Sequence, residues 1–131
     1  MFSLYALGRR DFALKKLRVL VIEDEGMVAM LVEDMLTDLG HTVGAVASRM
    51  RDAIDVAQSG TFDWAILDVN LDGEPSYPVA DILKGRGVPF AFATGYGAKG
   101  LDIKYGDAPV LAKPFVMADL EKLLLEVTRQ P

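Results

Sequence analysis

The stretch RVLVIEDEGM, residues 18–27, joins an apolar run directly to three consecutive acidic residues. With Leu17 included, the run LRVLVI has the length and residue types of a strand, and its continuous apolar character is typical of a strand covered on both faces. Glu23, Asp24 and Glu25 follow at the carboxyl end of that strand. The stretch therefore predicts a buried parallel strand with a polar site at its end.

Further apolar runs alternate with segments of helical period along the rest of the chain. Five strands separated by helices predict βαβ units, and right-handed crossovers close these into a doubly wound α/β domain with a parallel sheet and helices on both faces. Four glycines between residues 95 and 106 each disfavour helix by about 1 kcal/mol, so we expect a short or mobile helix there. The predicted strands after the first are TVGAV (42–46), WAIL (64–67), PFAFA (89–93) and PVLA (109–112).

The composition limits the classes of function. A chain of 131 residues suits one domain with a short appendage and can bury a core. A net charge of −5 argues against direct nucleic acid binding, and the absence of cysteine excludes disulfides and thiolate chemistry. No apolar run approaches the roughly 20 residues needed to cross a bilayer. We expect a cytoplasmic protein without a membrane span, present as a monomer or weak dimer.

Residues 1–16, MFSLYALGRRDFALKK, are interpreted as an extension that precedes a domain of residues 17–131. Their apolar residues come before the basic ones, which is the reverse of a secretory signal. An amphipathic helix that binds a membrane or a partner is the alternative interpretation.

Polar residues at the ends of the predicted strands form the candidate site. Because the carboxyl ends of parallel strands share one edge of the sheet, Glu23, Asp24 and Asp68 should lie close together. Two carboxylates about 5 Å apart repel by roughly 3 kcal/mol at an effective dielectric of 20, so this group requires a cation. Mg²⁺ prefers such oxygen ligands and retains waters. Lys113 and Thr94, at two other strand ends, would add an ammonium group and a hydroxyl.

Each of these features alone has an ordinary structural interpretation. Three acids at the start of a helix interact favourably with the helix dipole, and we expect Glu25 in the first turn of the first helix. A lone aspartate at a strand end is often a turn residue, and a threonine there is often a β-former. The occurrence of all of them at successive strand ends favours a shared site for phosphoryl chemistry, with Asp68 as the nucleophile.

These motifs together resemble the receiver domain of bacterial two-component response regulators. The resemblance covers residues 17 to about 129 and is carried by VIEDE (21–25), AILDVNL (65–71), FATGY (92–96) and LAKPF (111–115). It implies a flavodoxin-like fold with strand order 2-1-3-4-5. It also implies that a sensor histidine kinase or a histidine phosphotransfer protein phosphorylates Asp68.

The resemblance further implies a role for each remaining site residue. Asp24 would bind Mg²⁺ directly and Glu23 through water, while Asp68 and the backbone carbonyl of Asn70 would complete the protein ligands. The two phosphoryl-binding residues would be Thr94 and Lys113, and the peptide bond between Lys113 and Pro114 would be cis.

The sequence departs from the family pattern at two places. Many receivers carry an aromatic residue three positions before the lysine, where this chain has Val110. Tyr96 is a candidate to replace that aromatic in the readout, with surface packing as the alternative. Asp72 and Gly73 occupy the place where many receivers have an apolar residue and proline, which leaves the following loop unpredicted. PFAFATGYG (89–97) resembles a receiver subgroup named for its Phe-Ala-Thr-Gly motif.

The expected function is that of a signalling phosphoacceptor rather than an enzyme, with autophosphorylation from small donors and autodephosphorylation at most. We expect no effector domain after the last helix, and therefore a stand-alone regulator that acts by docking to a protein or by phosphotransfer. A phosphorylation-independent pseudo-receiver is one alternative. An aspartyl-phosphate hydrolase is another, although such phosphatases carry their nucleophile after the first strand.

Overall fold

A computed structural model of the protein describes residues 15–95 and 101–128. Its large sheet has five parallel strands in the order β2-β1-β3-β6-β7, which is the expected order 2-1-3-4-5 when only these strands are counted. A short antiparallel hairpin, β4–β5, lies outside that sheet. The strands are β1 Arg18–Ile22, β2 Thr42–Ala47, β3 Trp64–Asp68, β4 Asn70–Leu71, β5 Glu74–Pro75, β6 Phe90–Thr94 and β7 Val110–Ala112, and the helices are α1 Gly26–Asp38, α2 Met50–Ser59, α3 Tyr77–Gly85 and α4 Met117–Thr128.

Helices cover both faces of the sheet, as the continuous apolar runs predict. Val19 and Val21 of β1 belong to a core cluster shared with α1 and α4. Leu20 and Ile22, which point to the opposite face, belong to a second cluster shared with α2 and α3. These four β1 side chains are at most 1% exposed, so β1 is an interior strand that is covered on both faces.

The start of α1 differs from the simplest interpretation of the acidic stretch. We expected Glu25 in the first turn of α1, but it is the extended N-cap residue before Gly26 and makes no side-chain cap hydrogen bond. Its backbone N–H instead donates to Glu23 Oε2 at 3.1 Å. Because of this local turn, α1 begins at Gly26 rather than at Glu25. The helix ends at Asp38, and Gly40 adopts a φ of 91° directly after the C-cap residue.

The described part of the connection between β6 and β7 contains a 3₁₀ turn. Within residues 101–109 this turn spans Ile103–Tyr105. The Tyr105 ring is buried and packs against Phe92 of β6.

Candidate functional site

Two of the predicted acids meet one lysine at the carboxyl edge of the sheet. Lys113 Nζ lies 2.8 Å from Glu23 Oε1 and 3.1 Å from Asp68 Oδ2. Glu23 follows β1, Asp68 ends β3 and Lys113 follows β7, so the parallel sheet brings residues 90 positions apart into contact. Glu23 is only 3% exposed, so its carboxyl group is shielded from water. The ammonium group of the lysine compensates negative charge there.

Burial dominates the ionisation of Glu23. Desolvation raises the pKa of its carboxyl to about 7, although the hydrogen bond from Lys113 opposes that change. Desolvation also acts to lower the pKa of Lys113, but the hydrogen bonds to Glu23 and Asp68 outweigh it and raise the pKa above its ordinary value. The ammonium group is therefore held in its charged form between the two carboxyl groups.

Asp24 contributes its carboxylate to a group of acids that could hold a metal ion. One oxygen each from Glu23, Asp24 and Glu25 lie within 4.8 Å of one another. Sequence reasoning did not name Glu25 as a candidate ligand, because it assigned that residue to the helix. Asp68 is not in this group, although it shares Lys113 with Glu23. Oxygen ligands at this spacing suit a hard divalent cation.

The β4–β5 hairpin orients Asp24 from the other side of the site. The Asp72 backbone N–H donates to Asp24 Oδ2 at 2.9 Å. Burial acts to raise the pKa of Asp24, but this hydrogen bond and weaker ones outweigh it and leave the pKa below its usual value. Asp72 and Gly73 have φ values of 53° and 82°, as a type I′ turn requires. The unpredicted loop is thus a hairpin, which the Asp-Gly pair could have indicated.

Two residues that follow Asp68 in the chain donate hydrogen bonds to it. The Asn70 backbone N–H donates to Asp68 Oδ1 at 3.3 Å, so Asn70 does lie beside the site. Ser76, which is fully buried, donates its hydroxyl to the Asp68 carbonyl oxygen at 2.6 Å. Sequence reasoning missed Ser76 because a serine eight positions from Asp68 carries no recognisable signal.

Thr94 and the peptide bond after Lys113 complete the predicted set. Thr94 is the last residue of β6 and is 3% exposed, and its carbonyl accepts the Lys113 backbone N–H at 2.9 Å. The bond between Lys113 and Pro114 is cis, as the resemblance implies. Val110 is half-buried and pairs with Phe92 across the β6–β7 ladder. Tyr96 lies outside the described residues.

Within the two described ranges, no helix is both long enough and apolar enough to cross a bilayer.

Comparison with known proteins identifies related domains. The family model described as "Response regulator receiver domain" matches residues 19–125. The solution structure of SdrG from Sphingomonas melonis Fr1 is 41% identical with a TM-score of 0.76, and the match covers 86% of this chain and 96% of that one. A structure described as the BeF3-activated conformation of SdrG is 38% identical with a TM-score of 0.73 and covers the same shares.

Two curated relatives are longer proteins. TcrA of Mycobacterium tuberculosis, a transcriptional regulatory protein by name, is 34% identical over 94% of this chain and 50% of its own length. PhyR of Methylorubrum extorquens, a phyllosphere-induced regulator by name, is 34% identical over 89% of this chain and 45% of its own length. The chain thus spans about half the length of the curated relatives it matches.

Proposed function

The chain belongs to the response regulator receiver family of two-component signalling, and we propose that it accepts a phosphoryl group on Asp68 in a Mg²⁺-dependent reaction. We take the domain as residues 17–131, with residues 1–16 as an extension. Leu17 is 2% exposed and belongs to the core, and α4 reaches Thr128, so the folded unit extends beyond the family match at both ends.

The observation that carries the proposal is the position of Lys113 between Glu23 and Asp68. In the transfer, the donor's bond to phosphorus breaks as an oxygen–phosphorus bond forms on the Asp68 carboxylate. Negative charge spreads over the phosphoryl oxygens during this step, so catalysis depends on positioning and on nearby positive charge. Lys113 is already within 3.1 Å of Asp68 and would follow the added oxygens, with the Thr94 hydroxyl as a second donor.

The acids beside Asp68 fit a Mg²⁺ site. Glu23 and Asp24 place carboxylate oxygens within 4.8 Å of each other, and the Asp72 N–H fixes the orientation of Asp24. Together with Asp68 and the Asn70 carbonyl they would supply an oxygen ligand set, with waters in the remaining positions. The ion would neutralise charge on the phosphoryl oxygens.

The phosphoryl donor that we propose is a phosphohistidine, on a sensor histidine kinase or a histidine phosphotransfer protein. The family assignment supports a kinase partner. One of the SdrG structures is described as the BeF3-activated conformation. This supports the use of beryllofluoride as a phosphoryl analogue for this chain.

Incubation with acetyl phosphate tests the assignment of Asp68. Intact-mass measurement should show one added phosphoryl group in the wild-type protein with Mg²⁺ and none with EDTA. Asp68→Asn should not be labelled, whereas Asp52→Asn, at an exposed position on α2, should be labelled like the wild type. Labelling that persists in Asp68→Asn would disprove the assignment, and no labelling of any protein would favour a phosphorylation-independent pseudo-receiver.

A further inference from the structure

Three side chains join the β6–β7 connection to α3 on the face of the sheet that also holds Phe92. We call Tyr77, Asp81 and Tyr105 the aromatic latch. The Tyr105 hydroxyl donates to Asp81 of α3, and the Tyr105 ring stacks on the Tyr77 ring with centroids 5.3 Å apart. The Tyr77 hydroxyl oxygen accepts the Asp102 backbone N–H at 2.6 Å.

The latch is connected to the phosphorylation site along β6. Tyr105 packs edge-on against Phe92 with ring centroids 5.4 Å apart. Phe92 and Thr94 are two positions apart on the same strand, so their side chains point to the same face of the sheet. The 3₁₀ turn that carries Tyr105 also follows Thr94 in the chain, nine to eleven positions later. A shift of Thr94 towards a phosphoryl group would therefore disturb the packing beneath Tyr105.

A second connection runs through the start of α3. Ser76 holds this end of α3 to the Asp68 carbonyl, and Tyr77 is the next residue. Both routes from the site thus end at the same pair of stacked rings.

The Tyr105 ring borders an open groove. This groove has a volume of about 500 Å³ and is lined also by Val88, Phe90 and Ala108, so there is empty space beside the ring. The Asp81 side chain is about half exposed, and its second contact, an ion pair with Lys104 at 3.1 Å, is also at the surface. Such contacts contribute modestly to stability and can be broken at low cost.

We propose that the aromatic latch reads out phosphorylation in this chain, in place of the aromatic residue that position 110 lacks. In the unphosphorylated form the hydrogen bond from Tyr105 to Asp81 holds residues 101–108 against α3. Occupation of Asp68 draws Thr94 towards the phosphoryl oxygens, and Tyr105 leaves Asp81. Tyr105 and Asp81 are positioning residues, because they act through Phe92 and Thr94. The inference rests on the function proposed for Asp68.

Beryllofluoride affinity measured by calorimetry in Mg²⁺ tests the latch. Tyr105→Phe keeps the ring and its stacking, and Asp81→Asn keeps the size of the side chain, but each removes the charge-assisted hydrogen bond. Because this bond stabilises only the unactivated form, both variants should bind beryllofluoride roughly fivefold to tenfold more tightly than the wild type. Asp55→Asn, at an exposed position on α2, is the matched control and should bind like the wild type.

Hydrogen exchange gives an independent measurement on the same proteins. The amides of residues 101–108 should exchange faster in the beryllofluoride-bound wild type, and already faster in Tyr105→Phe without the ligand. Wild-type affinity or weaker affinity in both variants, or unchanged protection of residues 101–108 on binding, would overturn the latch while leaving phosphorylation of Asp68 intact. A wild-type protein that binds no beryllofluoride would overturn the proposed function and the latch together.

Discussion

Replacement of Glu23 by glutamine should stabilise the metal-free protein at alkaline pH. Glutamine is uncharged and close in shape to the protonated glutamic acid, so it mimics the form that the desolvated position favours. The carboxyl has a pKa of about 7 in the folded protein against 4.5 in the reference state. Because the folded state holds the proton more tightly, Glu23 lowers the free energy of unfolding as the pH rises from 4.5 through about 7.

The size of the effect follows from the same two values. A difference of about 2.5 pKa units corresponds to roughly 3 kcal/mol, most of which develops between about pH 5 and about pH 8.5. In urea unfolding with EDTA, Glu23→Gln and the wild type should have similar stability near pH 5. Near pH 8.5 the variant should be more stable by about 2 to 3 kcal/mol.

The control for this comparison is Glu126→Gln, at an exposed position on α4, whose stability should differ little from that of the wild type at both pH values. Saturating Mg²⁺ should reduce the advantage of Glu23→Gln, because an ion that binds only the folded wild type stabilises it. A stability difference that is independent of pH, or that favours the wild type at alkaline pH without metal, would refute the argument from desolvation.

Three further changes test individual contacts, two beside the site and one at the opposite edge of the sheet. Gly73→Ala places a side chain at a φ of 82° and should lower the free energy of unfolding by about 1 kcal/mol in urea and weaken Mg²⁺ binding by calorimetry. Ser76→Ala removes the donor to the Asp68 carbonyl and should cost about 1 kcal/mol in the same unfolding assay. His41 accepts the Leu17 N–H on Nδ1, and burial lowers its pKa below 6.5. NMR titration should therefore find the His41 pKa below 6.5, and stability relative to His41→Asn should fall as the pH drops below 6.5.

The architecture and the main site residues could be predicted from local patterns. Continuous apolar runs and helical spacing depend on neighbours within a few positions, and parallel strands must place their carboxyl ends at one edge. Those two facts are enough to bring Glu23, Asp68 and Lys113 together, although 90 positions separate the first from the last. The cis conformation of the peptide bond after Lys113 was predicted from the family resemblance alone.

Other features depend on contacts that no local pattern records. Glu25 stands outside α1 because its N–H turns to Glu23, and Asp24 is oriented by an amide 48 positions away in a hairpin. Tyr105 reaches Asp81 across 24 positions, at a place where sequence reasoning considered only Val110 and Tyr96. Hydrogen bonds of this kind require particular distances and angles between groups on separate elements. Apolar periodicity specifies which side of a strand or helix is buried, whereas these distances arise only once the elements have packed.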